Sequence, residues 1–192
     1  GSYVKILKQR DVHDNLKNHE YEFKHVTPKN LTSTIVQAVK LKATVEEFFR
    51  NRESVSIETL FEIRQQKNGG KRFAIDEEFN LICLNPTIKN KIRGIYILAE
   101  ELNGKLEPVY VGISRNIKRR LRFHAYGTKT QSTLANKLAK DSGGSFDREK
   151  GKAIVAKYHV AIIPNESDYD TYLLEVLLAG LFKTKWNTFR TH

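Results

Sequence analysis

The 192-residue chain predicts an α+β fold, a small three-stranded, mainly antiparallel sheet sandwiched by helices, preceded by a mixed, partly helical N-terminal region. Three observations lead there. Two β-rich runs, Gly94–Leu98 and Val109–Ile113, flank an Asn103-Gly104 turn, the short-range signature of a β-hairpin. Capping residues and helical spacing then open two helices in succession. A further run rich in Val, Ile and Tyr, ending at Pro164, precedes a long apolar helix. The order hairpin, helix, helix, strand, helix segregates helices onto a small sheet.

In the N-terminal region, Leu31–Phe49 mixes helical and β-branched signals. Thr44-x-x-Glu47 ahead of Phe48-Phe49 matches a capping box, predicting a helix start at Thr44. Ser56 to Gln66 reads as a helix, with Ile57, Leu60, Phe61 and Arg64 at helical spacing, stopped by Asn68-Gly69-Gly70. Two such helices are compatible with a helix-turn-helix. Phe73–Ile75 and Leu81–Leu84 are short strand candidates, and Asn85-Pro86 ends the region. The boundary falls near residue 92, leaving 1–92 as an N-terminal element for DNA recognition or dimerisation and 93–192 as a second domain.

In that domain, Ser114 or Asn116 caps a helix to about Tyr126, ended by Gly127. Thr130 or Ser132 opens a helix to about Lys140, and Gly143-Gly144 breaks the chain. Ala153 to Ile163 reads as the third strand. Ser167 caps a helix from Asp168 to about Thr184.

Net charge is +11 at pH 7, split +4 over residues 1–92 and +7 over 93–192. Such a surplus points to a polyanion, and nucleic acid is the commonest. Arg115, Lys118, Arg119, Arg120 and Arg122 crowd one short stretch after Gly112. A single cysteine, Cys83, excludes a disulfide framework or a cysteine metal site. No apolar stretch approaches the roughly 20 residues of a membrane span, and the start lacks a signal-peptide pattern. A cytoplasmic location is expected.

One residue breaks its local pattern. Glu175 sits inside the apolar run Tyr172–Phe182. An ionised carboxylate there is costly to bury without a proton, a cationic side chain or a metal ion. Arg120 and His124, four apart, share a helix face. Tyr96 and Tyr110 sit on the two arms of the hairpin.

This ordered set resembles the GIY-YIG nuclease family. Gly94-Ile95-Tyr96 matches the first signature, and Tyr110-Val111-Gly112 the second with Val in place of Ile. A basic helix with Arg120 before Leu121 follows, then Glu175 on a later helix and Asn187 a dozen residues on. The resemblance covers about residues 93–190. His124 is similar to the branch containing several type II restriction endonucleases. Where some members have a lysine after the second-signature glycine, this chain has Ile113, so a lysine-assisted mechanism is not expected.

The resemblance implies a DNA endonuclease that hydrolyses phosphodiester bonds with a divalent cation, Mg²⁺ or in substitution Mn²⁺, held by Glu175. It implies catalytic roles for Tyr96, Tyr110, Arg120, His124, Glu175 and Asn187. Arg115, Lys118, Arg119 and Arg122 would hold flanking phosphates of double-stranded DNA. Three roles follow as alternatives: a sequence-specific restriction enzyme, a homing, mobile-element or repair nickase, or a DNA-binding protein that no longer cuts. A double-strand break would need a homodimer or sequential nicking.

Overall fold

The computed structural model describes residues 28–75, 92–165 and 167–189. Cys83, the strand candidate 81–84 and Asn85-Pro86 lie outside them. The chain divides into two compact units between Gln37 and Ala38.

Helix α1, Pro28–Arg50, crosses that division. In the second unit it buries Ala38, Leu41, Val45, Phe48 and Phe49, a stripe at helical spacing. This stripe stays in phase through Thr44, so no helix starts there. The Thr44 hydroxyl donates instead to the Lys40 carbonyl, one turn back at 3.0 Å. The capping-box expectation is corrected, because burial over three turns outweighs a local cap.

After α1 come β1 (Val55–Ser56) and the single-turn helix α2 (Ile57–Leu60). Ser56 caps α2 by accepting from the Thr59 amide at 3.2 Å. The chain then turns extended, as β2 (Phe61–Gln65) pairs antiparallel with β3 (Lys71–Ile75). The helix expected over Ser56–Gln66 is therefore one turn long, and no helix-turn-helix forms. Ile57 and Leu60 satisfy the helical spacing within that turn, and both are buried. Beyond it, Glu62 and Arg64–Gln66 offer no apolar stripe to bury, and the turn at Asn68–Gly70 favours strand pairing.

Strands β4 (Gly94–Leu102) and β5 (Lys105–Ser114) form the expected hairpin, with Asn103 and Gly104 both at positive φ. Helices α3 (Ile117–Tyr126), α4 (Thr133–Asp141) and α5 (Arg148–Ala156) follow. Asn116 caps α3 by accepting from the Arg119 amide at 3.0 Å. Helix α5 replaces the first part of the strand expected over Ala153–Ile163, and β6 runs only from His159 to Pro164. Asp147 caps α5, and its Gly151 lies so close to α4 that a Cβ there would sit 2.6 Å from the Ala135 carbonyl. Helix–helix packing thus claims Ile154 and Val155, which propensity alone assigns to a strand.

The main sheet has order β1-β6-β4-β5, all antiparallel. It contains four strands rather than three, because two residues before α2 add an edge to β6. Alternation along β4 divides the core. Tyr96 and Leu98 face α3, α4 and α5, while Ile95, Ile97 and Ala99 face α1 and α6 (Asp168–Phe182). Among the described residues, no helix is long and apolar enough to cross a membrane.

Candidate active site

Two glycines set the backbone of the site. Gly94 has φ 141°, and a Cβ there would lie 2.3 Å from the Ile163 carbonyl of β6. Gly112 stands directly across from Tyr96 in the β4–β5 register. A Cβ on Gly112 would lie 2.1 Å from Tyr96 Cζ and 2.2 Å from its hydroxyl. The tyrosine ring occupies the space that a side chain at 112 would take.

Tyr96 is fully buried and shares a 2.8 Å hydrogen bond with Nε2 of the equally buried His124 on α3. Tyr110 completes an aromatic triangle, its centroid 6.1 Å from Tyr96 and 5.7 Å from His124. Burial holds the Tyr96 hydroxyl well above its usual range; the nearby Tyr110 adds to this, and Arg120 opposes it. Burial also pushes His124 down to about 3, helped by the charge of Arg120. In the free protein the pair is therefore neutral. The imidazole holds the Tyr96 hydroxyl and is a poor proton acceptor. His124 Nδ1 has no hydrogen-bond partner among the described residues.

Arg120, one turn before His124, donates from Nη1 to the Gln131 carbonyl at 3.2 Å and from Nη2 to Thr133 Oγ1 at 3.0 Å. These bonds tether it to the start of α4, and the same guanidinium also reaches the hydroxyls of Tyr96 and Tyr110. Its charge favours the phenolate of both tyrosines.

Glu175 lies half-buried on α6, which packs on β5. Burial raises its carboxyl above the usual range, and its charge in turn raises Tyr110. It makes no hydrogen bond or ion pair among the described residues, so the Arg120–Glu175 ion pair that would explain it without a metal does not form. Nor do the described residues contain a cluster of three or more His, Cys, Asp or Glu able to hold a metal by themselves. One unpartnered carboxylate near the Tyr110 hydroxyl fits a hard cation that keeps most of its waters and takes phosphate oxygens. A closed protein cage would not.

Asn187 lies beyond α6 and acts as a surrogate strand residue. Its Oδ1 accepts from the Val111 amide and its Nδ2 donates to the Val111 carbonyl, both at 2.8 Å. Thr184 Oγ1 also donates to Asn187 Oδ1, at 2.7 Å. The tail is thus pinned along the free edge of β5, with Val111 between Tyr110 and Gly112.

The basic helix divides by environment. Arg119 is exposed and its guanidinium lies 5.6 Å from the Phe123 ring. Arg122 lies over Phe123 and over Phe73 of β3, at 5.2 and 5.7 Å. Lys118 is half-exposed on the same helix. Arg115, 81% exposed, donates to Asp168 Oδ2 at 2.6 Å, and Arg93 bonds Oδ1 of the same carboxylate. These ionic contacts line a cleft of about 220 Å³ with Gly94, Ser114 and Tyr172. Arg93 and Asp168 escape the sequence reading. They lie 75 residues apart, and no local pattern joins them.

A family model for the GIY-YIG catalytic domain matches residues 92–187, half of the chain. No curated protein and no solved structure matches it. The matched span holds both signature tyrosines, Arg120 and His124 of the basic helix, and Glu175 and Asn187. The chain belongs to the GIY-YIG family of nucleases.

Proposed function

We propose that this nuclease is a divalent-metal-dependent endonuclease of double-stranded DNA, of the sequence-specific restriction type. The observation that carries the proposal is the half-buried Glu175 beside Tyr110, without a hydrogen bond or ion pair among the described residues. Polyanion binding fits the net charge of +11.

Each side chain then has a task. Arg120 donates to the scissile phosphate and offsets charge as it develops. Tyr110, more accessible than Tyr96, orients the attacking water or a phosphate oxygen. Tyr96 supports that hydroxyl from beneath, itself fixed by His124, so the pair positions rather than titrates. Glu175 would hold Mg²⁺, or Mn²⁺ in its place, supplying Lewis-acid stabilisation at the phosphate and the leaving 3′ oxygen. Asn187 holds β5, and with it Tyr110 and Gly112, in register. Arg115, Lys118, Arg119 and Arg122 hold flanking phosphates, a contribution that fades as salt rises.

The test is incubation of supercoiled plasmid with Mg²⁺ or Mn²⁺. The wild type nicks or linearises it, and Glu175→Ala abolishes cutting while DNA binding persists. Wild-type protein that binds plasmid but never cuts it would sink the enzymatic reading and leave a DNA-binding role. Discrete fragments from a sequenced plasmid support the restriction type. Nicked circles alone favour a homing, mobile-element or repair nickase.

A further inference from the structure

The β2–β3 ribbon is built unlike the rest of the molecule. Among the described residues no second layer covers the outer parts of its two five-residue arms, and residues 62–69, 71 and 72 are all exposed. Arg64 pairs directly across from Arg72, and Gln65 from Lys71. Like charges opposite one another destabilise a strand pair. Glu62 offsets this only in part, through an exposed ion pair to Arg64 at 2.7 Å. Folding alone gives no reason for two guanidiniums there, and local rules are broken most often where function requires it. Among the ribbon residues whose exposure is described, Ile63 is the one exposed large hydrophobic, too little apolar surface for a protein-docking face.

The root of the ribbon is packed against α3. Phe61, Phe73 and Tyr126 form an aromatic cluster with centroid separations of 6.2, 6.4 and 5.1 Å. The Arg122 guanidinium caps Phe73. Tyr126 and Arg122 belong to α3, the helix that carries Arg120 and His124. The ribbon is thus mounted on the element that holds the catalytic groups.

Two strands about 4.8 Å apart and about 17 Å long suit a major groove about 12 Å wide, which admits a two-stranded ribbon. We propose that the β2–β3 ribbon enters the major groove of duplex DNA and reads its sequence, with Arg64 and Arg72 contacting base edges. The proposal rests on the reading of the protein as a nuclease of double-stranded DNA, and it assigns that enzyme its specificity element. The planar guanidinium fork matches O6 and N7 of guanine, and the exposed Glu62 partner is readily exchanged for them.

The full chain, with EDTA present, is used to select from a pool of short DNA duplexes of randomised sequence. The wild type enriches a motif. Arg64→Ala and Arg72→Ala each weaken binding to the selected duplex by roughly 5- to 150-fold, the loss expected for one bidentate base contact, and each flattens a position of the motif. Arg64→Lys does not rescue, because an ammonium lacks the fork. Lys105→Ala, an exposed cation on the distant β4–β5 turn, serves as the charge control and changes nothing. Both arginines are solvent-exposed and oppose each other as like charges, so the variants melt no lower than the wild type. The proposal is overturned if the wild type enriches no motif, if the alanine variants select the same motif with the same Kd, if Arg64→Lys retains it, or if duplex RNA outcompetes DNA. Failure of the nuclease reading shows separately, as plasmid left uncut by the wild type with Mg²⁺ or Mn²⁺.

Discussion

Gly112→Ala is the substitution whose effect follows most directly from the geometry. The new Cβ would sit 2.1 Å from Tyr96 Cζ, where ordinary contact begins near 3.4 Å. The ring must therefore retreat by the difference, about 1.3 Å. The Tyr96–His124 bond at 2.8 Å does not survive such a shift unless His124 follows, and His124 is itself fully buried. Overpacking costs about 1–3 kcal/mol, and stranding the two buried polar groups costs about 1–3 kcal/mol more. A combined loss of about 4 kcal/mol lowers Tm by roughly 8–16 °C in a chain of this size. Displacing a positioning group by about 1 Å slows chemistry by about 100-fold, read as the single-turnover nicking rate at saturating protein. Gly180→Ala is the control, since nothing lies within 4 Å of its Cβ on helix α6. It should be neutral or gain up to about 1 kcal/mol. If Gly112→Ala keeps both the wild-type Tm and the wild-type nicking rate, the packing account of the second signature glycine is wrong.

Three further outcomes are expected. His124 has a folded-state pKa of about 3, below its unfolded value of about 6.5, so the unfolded chain binds more protons between those limits. Stability is then full above about pH 6.5 and falls as pH drops towards 3, with about 2 kcal/mol lost by pH 5; thermal melts across this range should flatten in His124→Gln. Burial raises the Glu175 carboxyl, so the ionised form is penalised in the fold, and Glu175→Gln should raise Tm at neutral pH without metal while ending cleavage; Mg²⁺ or Mn²⁺ should raise Tm of the wild type but not of the variant. Equal responses to metal would remove Glu175 as the ligand. Asn187→Ala strands both backbone groups of Val111 and should cost about 2–4 kcal/mol in chemical denaturation, with an unchanged midpoint counting against the surrogate-strand role.

Where local signals and burial agree, the sequence was legible. The β4–β5 hairpin, the Ser167 cap, the Gly127 stop and helix α6 all follow from residues within a few positions of one another, and of the two cap candidates Ser114 and Asn116 the structure uses Asn116. Where they conflict, tertiary packing prevailed. Thr44 sits mid-helix because the buried stripe runs through it, and Ile154 and Val155 are helical because Gly151 lets α5 press onto α4. The ribbon was hidden because Ile57, Leu60 and Phe61 imitate a longer helix while spanning one turn and a strand start.

The sequence by itself determined the order and identity of the polar groups, Tyr96, Tyr110, Arg120, His124, Glu175 and Asn187, and hence the family. It also showed that Glu175 is a charge out of place. Only the tertiary structure decided which of these groups meet. It buried Tyr96 against His124 beneath the vacancy at Gly112, tied Arg120 to α4 rather than to Glu175, and bound Asn187 to the edge of β5. The physical reason is range. Helical and strand periodicity act over a few residues and announce themselves in the chain, whereas close approach between segments 28 to 76 residues apart depends on volumes and directions that no local pattern encodes.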